Sequence, residues 1–169
     1  MTPQCRFVLV SSVVAVIAVP GCAKFRKPAP PPQPPAAHMT LAASADANPD
    51  PSGRPSPVVV RVYQLRGDAA FVGADFFGLF DDEQKALGPE LISRAEYVLT
   101  PSERRTVDVP VAADARYVGV IAAFRDIRNA DWRALVPTWR EGTRNMSVAV
   151  GRMRIVLSLA EEAKGPKAD

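Results

Sequence analysis

The sequence predicts an all-β domain, an antiparallel two-sheet β-sandwich with a short helical insertion after its first strand. Seven or so short segments between residues 58 and 160 are rich in β-branched and aromatic residues and are separated by turn residues. No strand-helix unit repeats, which argues against a parallel α/β sheet. One stretch alone, DAAFVGADFFGLFDDEQKALG from Asp68 to Gly88, places apolar residues at helical spacing.

The first strand is expected at Val58, where VVVRVYQL follows Pro57. Val58, Val60 and Val62 share one face, and Arg61 and Tyr63 the other. Asp68 is placed to cap a helix, and Phe76, Leu79 and Phe80 fall on one helical face. Asp81, with Gln84 three residues on, reads as a second cap, and Leu87-Gly88-Pro89 ends the insertion. Ala95, Tyr97 and Leu99 alternate with Arg94 and Glu96. Thr100-Pro101-Ser102-Glu103 then turns the chain into Arg105, Val107 and Val109, a β-hairpin. Tyr117 to Phe124 is apolar throughout, as a strand covered on both faces would be. Leu135 to Trp139 contains Pro137 and suits an edge strand. Met146, Val148 and Val150 alternate, Gly151-Arg152 suits a two-residue turn, and Met153, Ile155, Leu157 and Leu159 alternate again. A charged tail follows at 161–169.

Upstream of the sandwich the chain changes character twice. Arg6 precedes thirteen apolar or small residues, Phe7 to Val19. As a helix they would be about 20 Å long, too short for a hydrocarbon core of about 30 Å and suited to a cleaved export signal. Val19-Pro20-Gly21-Cys22 resembles the lipobox of bacterial prolipoproteins, with Pro20 departing from the usual small or hydroxyl residue. That resemblance implies a signal peptide over 1–21, cleavage between Gly21 and Cys22, and acylation of Cys22. Several acyl chains at about 0.8 kcal/mol per buried methylene make such an anchor effectively permanent. Ala23, where an aspartate would favour retention at the inner membrane, implies sorting to the outer membrane. From Cys22 to Pro57 proline, alanine and small polar residues dominate, including Pro-Ala-Pro-Pro-Pro-Gln-Pro-Pro at 28–35. This segment reads as a disordered tether that would reach on the order of 100 Å if extended.

Composition removes most catalytic chemistry. Of two cysteines, Cys5 leaves with the signal and Cys22 takes lipid, so neither a disulfide framework nor a thiolate metal site remains. The single histidine, His38, falls in the tether. A Ser-His-Asp or Cys-His site and an ordinary zinc site therefore lack their ligands. Asp81 with Asp82, or Asp126 with Asp131, are carboxylate pairs of the kind that serve as caps and turns far more often than as glycosidase pairs. Net charge is +3, falling to +2 without Arg6, and no basic block suggests nucleic acid. Neither a cofactor nor a small-molecule substrate is expected, only the covalent lipid. The polar connection Arg66, Gly67, Asp68, Ala69 and Ala70 after the first expected strand is left as a recognition candidate.

Separated motifs then add up. Val62-Tyr63-Gln64-Leu65, Phe71 through Phe80, Leu87-Gly88, Tyr117-Val118-Gly119-Val120, Ala123-Phe124-Arg125-Asp126 and Trp132-Arg133 resemble, in order and spacing, the TssJ (SciN or VasD) lipoprotein family of type VI secretion systems. The resemblance implies a transthyretin-like sandwich on the periplasmic side of the outer membrane, with no enzymatic role. It implies binding to the periplasmic carboxy-terminal domain of TssM, with TssL in the same complex. It also implies that the loop after the first strand holds TssM, which by position is Arg66, Gly67, Asp68, Ala69, Ala70 and, at its end, Phe71; the motif residues Arg125, Asp126 and Arg133, with Arg128, make a second candidate loop or else, like Trp132, hold a loop against the sandwich. A structural or chaperone-like envelope lipoprotein with a different partner is the alternative.

Overall fold

The computed structural model describes residues 36–139 and 142–159. The expected signal peptide, the Gly21–Cys22 cleavage site, the lipidated cysteine, the tether up to residue 35 and the tail at 161–169 lie outside them. Among the described residues no helix is long and apolar enough to cross a membrane.

Among the described residues, eight strands form two four-stranded sheets. One has the order β4-β1-β7-β8, from β1 (Ala36–Ala43), β4 (Arg104–Pro110), β7 (Thr143–Val150) and β8 (Ile155–Leu159). The other has the order β3-β2-β5-β6, from β2 (Val58–Leu65), β3 (Leu91–Leu99), β5 (Tyr117–Ala122) and β6 (Arg133–Pro137). The expected sandwich is therefore present. All neighbours run antiparallel except β1 and β7, which are parallel, with Met39 opposite Met146.

The expected tether ends much earlier than Pro57, because Ala36–Ala43 is the first strand. Ala37, Met39, Leu41 and Ala43 alternate inward and are buried, giving the period of two that a half-buried strand needs. Alanines and a histidine carry little intrinsic strand preference. Pairing with β4 and β7 on both edges and burial of one face override it. His38 accordingly sits on the exposed face of β1, where its Nδ1 contacts the Asp108 carboxylate on β4. The helical insertion follows the second strand rather than the first.

Two further expectations are corrected. The segments either side of Thr100–Glu103 do not pair as a hairpin: β3 pairs with β2, while β4 pairs with β1 in the other sheet. Turn chemistry specifies the reversal, with Ser102 at φ 67° and the Glu103 carboxylate accepting from the Thr100 N–H, but it does not say which sheet receives the next strand. The connection from β7 to β8 is longer than two residues. Gly151 N–H donates to the Arg154 carbonyl, so Met153 lies in the loop and not in a strand.

The core has two parts because β2 and β5 are covered on both faces. Between the sheets lie Met39, Leu41, Val58, Val60, Val62, Leu99, Val120 and Val148, all buried. On the outer face, Tyr63, Leu65 and Ile121 meet Phe71, Phe76, Leu79 and Leu87 from three short helices, α1 (Ala69–Gly73), α2 (Phe76–Asp81) and α3 (Glu83–Leu87). This double cover explains why β5 reads as unbroken apolar sequence. Asp75 caps α2 by accepting from the Gly78 N–H, and Asp82 caps α3 from the Lys85 N–H. Asp81 is the last residue of α2 and not the expected cap, and Asp68 precedes α1 without a side-chain cap bond. Arg61 fastens this layer to the sheet: it donates to the Phe80 carbonyl at 2.6 Å and to Glu96 at 2.7 Å, with its guanidinium 4.0 Å from the centroid of the Phe80 ring. Tyr63 donates its hydroxyl to the Leu79 carbonyl at 3.0 Å, and burial pushes its pKa up to about 12.

Candidate functional site: the loops at the two poles

The strands place every connection at one of two poles. At the first lie the Arg66–Asp68 turn, the loop at 111–116 and Thr138, Trp139 and Gly142, and the chain enters β1 here, with Ala36 N–H donating to the Gly142 carbonyl. The loops at 44–57, 100–103, 123–132 and 151–154 gather at the second. Strands of eight residues at about 3.3 Å each put the poles on the order of 25 Å apart. The two candidate loops are therefore not brought together: Arg66 to Phe71 starts at the first pole, and Arg125, Asp126 and Arg128 stand at the second.

The first candidate is a short, pinned connection. Arg66 donates from Nε to Asp114 at 2.9 Å and from Nη1 to the Pro89 carbonyl at 2.9 Å. The Glu90 carboxylate accepts from the Ala70 N–H and fills the space where a Cβ on Gly67 would stand, 3.1 Å away. Ala69 and Ala70 begin α1, Asp68 precedes it, and Phe71 is completely buried. Its ring lies against Gly119 of β5, 5.9 Å from the Tyr63 ring. Phe71 is thus a packing residue that a partner cannot touch. Arg133 is likewise turned inward from β6: its Nη1 donates to the Phe71 and Ala74 carbonyls at 3.1 and 2.9 Å, closing the carboxy-terminal end of α1. Trp132 packs edge-on to Phe76 at 5.4 Å.

The second pole is built around the connection from β1 to β2, at 44–57, which sequence reasoning had assigned to the tether. Pro49, Pro51, Pro55 and Pro57 restrict its backbone. Asp50 accepts from the N–H groups of Ser52 and Arg54 and from the Arg54 side chain at 2.8 Å, folding the tip on itself. These bonds, led by the one from the Arg54 backbone, hold the Asp50 carboxyl below its ordinary pKa, with a smaller contribution from the charge on Arg125. The base is buried at Ala47, Asn48 and Ser56, while Pro51 to Pro55 stand exposed.

Asn48 is the hub. At φ 49° it occupies the left-handed region that asparagine tolerates. Its Nδ2 donates to the Pro57 carbonyl at 2.6 Å, its Oδ1 accepts from the Arg125 N–H at 2.8 Å, and its own N–H donates to the Arg152 carbonyl at 3.0 Å. One residue, through its side chain and its backbone N–H, thus joins the loops at 44–57, 123–132 and 151–154. Asp131 adds a second seam, with its N–H donating to the Met153 carbonyl and its carboxylate accepting from Arg154 at 2.7 Å. The signal that could have shown this was Ala37, Met39, Leu41 and Ala43: a strand there turns the prolines after it into a loop. What this pole offers is an ordered, protruding surface. Among the described residues no cluster of three or more histidines, cysteines or carboxylates is placed to hold a metal.

Residues 35–153 match the family described as type VI secretion lipoprotein, VasD, EvfM, TssJ, and the match starts one residue before β1. The lipoprotein TssJ1 of Pseudomonas aeruginosa is 30% identical, with 78% of this chain and 99% of that one covered at a TM-score of 0.73. Lip of Serratia marcescens, described as a membrane-bound component of the type VI secretion system, is 27% identical over 75% of this chain and 97% of its own, at a TM-score of 0.66. A chain in the structure described as the TssM carboxy-terminal domain from EAEC is 27% identical over 75% and 98%, at a TM-score of 0.58. Comparison with curated proteins finds no match. The family is a secretion-apparatus lipoprotein family and not an enzyme family. With a family match spanning most of the sequence and a sandwich shared with TssJ1, the chain belongs to the type VI secretion lipoprotein family of VasD, EvfM and TssJ.

Proposed function

We propose that this protein tethers the type VI membrane complex to the outer membrane, binding the periplasmic carboxy-terminal domain of TssM, with TssL in the same assembly, through the pole built on residues 44–57. In this reading residues 1–21 are the signal peptide and Cys22 carries the lipid. Residues 23–35 remain as the tether, and 161–169 as a charged tail. The observation that carries it is the ordered loop at 44–57, held at its base by Asn48 and projecting from the pole opposite the entry at Ala36. The family resemblance assigns the partner to the loop after the first strand. The first strand is β1, so that loop is 44–57 and not Arg66 to Phe71. A chain of similar fold in the structure described as the TssM carboxy-terminal domain supports the choice of partner.

The test is capture of the TssM periplasmic domain by the mature chain carrying Cys22→Ser, which keeps it free of lipid. Saturable binding in the micromolar range or tighter is expected. No binding at concentrations of about 100 μM, equivalent to less than about 5.5 kcal/mol, would remove TssM as the partner.

A further inference from the structure

We propose that β1 carries tension between the upstream chain and the partner lengthwise, so that a pull crosses the domain along one extended strand and does not open the sandwich; this rests on the proposed binding at the 44–57 loop. β1 and that loop are consecutive in the sequence. The chain enters the fold at Ala36, runs to Ala43 and passes directly into the loop. A pull exerted through the residues before Ala36 and resisted by a partner at Pro51 to Pro55 therefore crosses β1 and half the loop, and the covalent path leaves out everything from Val58 onward.

Two opposed forces on a body free to turn line up through their points of application. The line from Ala36 to the loop tip thus sets the direction of the pull wherever the upstream residues lie, and that line follows β1 from one pole to the other. A strand is already drawn out at about 3.3 Å per residue against a limit of about 3.6 Å, so pulling its two ends apart gains almost no length. A force with so little length to gain does little work on the sheet, and the bonds between strands stay almost unloaded. A partner gripping the 123–132 loop would have the opposite effect. The covalent path from Ala36 to Arg128 runs on through β2, β3, β4 and β5, all of which must come apart before the chain is taut.

The seat of β1 suits this use. In the order β4-β1-β7-β8 it is an inner strand, paired from Ala36 to Ala42 with β4 and from Ala36 to Ala43 with β7. Ala37, Met39, Leu41 and Ala43 are buried on its inner face. On the outer face His38 meets Asp108, and the Thr40 hydroxyl lies 3.2 Å from that of Thr106. Both ends are tied: the Ala36 N–H donates to the Gly142 carbonyl at 3.2 Å, the Ala43 N–H to that of Glu103 at 2.9 Å, and the Ser44 N–H to that of Val150 at 2.8 Å. A strand so rich in alanine has little preference of its own to keep it extended. Placed between two neighbours, it is held along its whole length.

The experiment applies the force directly and needs no TssM. In the unlipidated chain from Cys22 onward Cys22 is the only cysteine and serves as one handle. The second is set by Ser52→Cys at the loop tip or by Arg128→Cys in the 123–132 loop, both exposed positions, and circular dichroism checks that the fold is kept. In magnetic tweezers the Arg128→Cys molecule is expected to unfold in a step of about 300 Å, the contour of residues 36–128 less its span in the fold. At the force that unfolds it, the Ser52→Cys molecule should survive at least about 10-fold longer before any step of about 25 Å, the length freed if β1 and the loop left the fold. Steps of that size at the same force or a lower one would overturn the proposal. Adding Thr106→Ala and Asp108→Ala loosens β1 from β4, and should shorten the lifetime of the Arg128→Cys molecule by about 3-fold while bringing no step into the Ser52→Cys molecule. Equal weakening of both would overturn the proposal as well. Failure of TssM capture is read in its own assay and would remove the proposed function, whatever the strand does under force.

Discussion

Replacing Pro49 to Pro55 by a glycine-serine linker of equal length is expected to weaken capture of the TssM periplasmic domain by about 100-fold or more, on the order of 2.7 kcal/mol, while the sandwich stays folded. The variant keeps Ala47, Asn48 and Ser56, so the buried base and its bonds to residues 57, 125 and 152 survive. What it removes is the pre-set tip: three prolines and the Asp50–Arg54 turn. A linker has to be ordered on binding, at about 1–2 kcal/mol per residue fixed, and it no longer presents the same side chains. Isothermal titration calorimetry would show the loss directly. Exchange of Arg66 to Ala70, expected from sequence to abolish capture, should instead leave affinity nearly intact and lower stability. Arg66 and the Ala70 N–H are bonded within the domain to Asp114, Pro89 and Glu90.

Phe71→Ala is expected to destabilise the fold by about 3–5 kcal/mol and to lower the melting temperature by on the order of 15 °C, without a direct effect on TssM affinity where the domain remains folded. The ring is completely buried and occupies the hollow left by the missing side chain of Gly119. A Cβ there would stand 2.7 Å from the ring's Cζ, a distance at which something must shift. The backbone carbonyl of Phe71 also receives Arg133, so loosening the ring loosens the end of α1. Gly119→Ala alone should cost about 1–3 kcal/mol by overpacking the same contact. Combined with Phe71→Ala it should cost less than the sum, because the added methyl enters the cavity. Thermal denaturation followed by circular dichroism measures all three. Equal and additive losses would show that the two positions do not share a contact.

Both predictions turn on where local pattern was and was not enough. The alternation of Val58, Val60 and Val62 and the unbroken run in β5 were legible because burial on one face or two dictates composition directly. Pro137 likewise marked β6 as an edge strand, where it ends the outermost pairing of its sheet. β1 escaped because Ala36, Ala37, Ala42 and Ala43 look like more of the tether beside them. Its only strong inward residues are Met39 and Leu41. Missing that strand shifted the count by one and set the loop after the first strand at the other pole. The destination of β4 was equally invisible, since a turn at Thr100–Glu103 serves a hairpin and a crossing between sheets alike. Arg125 and Arg128 were legible as an exposed loop. Their neighbour Arg152 was not, because only the Asn48 bonds join the two segments.

The central claim is that one chain connects outer-membrane lipid to TssM, and separating the envelope membranes by density tests it most directly. In cells producing the native chain, a share of TssM should fractionate with the outer membrane. That share should fall to background when Cys22 is replaced by serine, and again when Pro49 to Pro55 is replaced by the linker, each change cutting one end of the connection. TssM remaining in the outer-membrane fraction with either change would contradict the account.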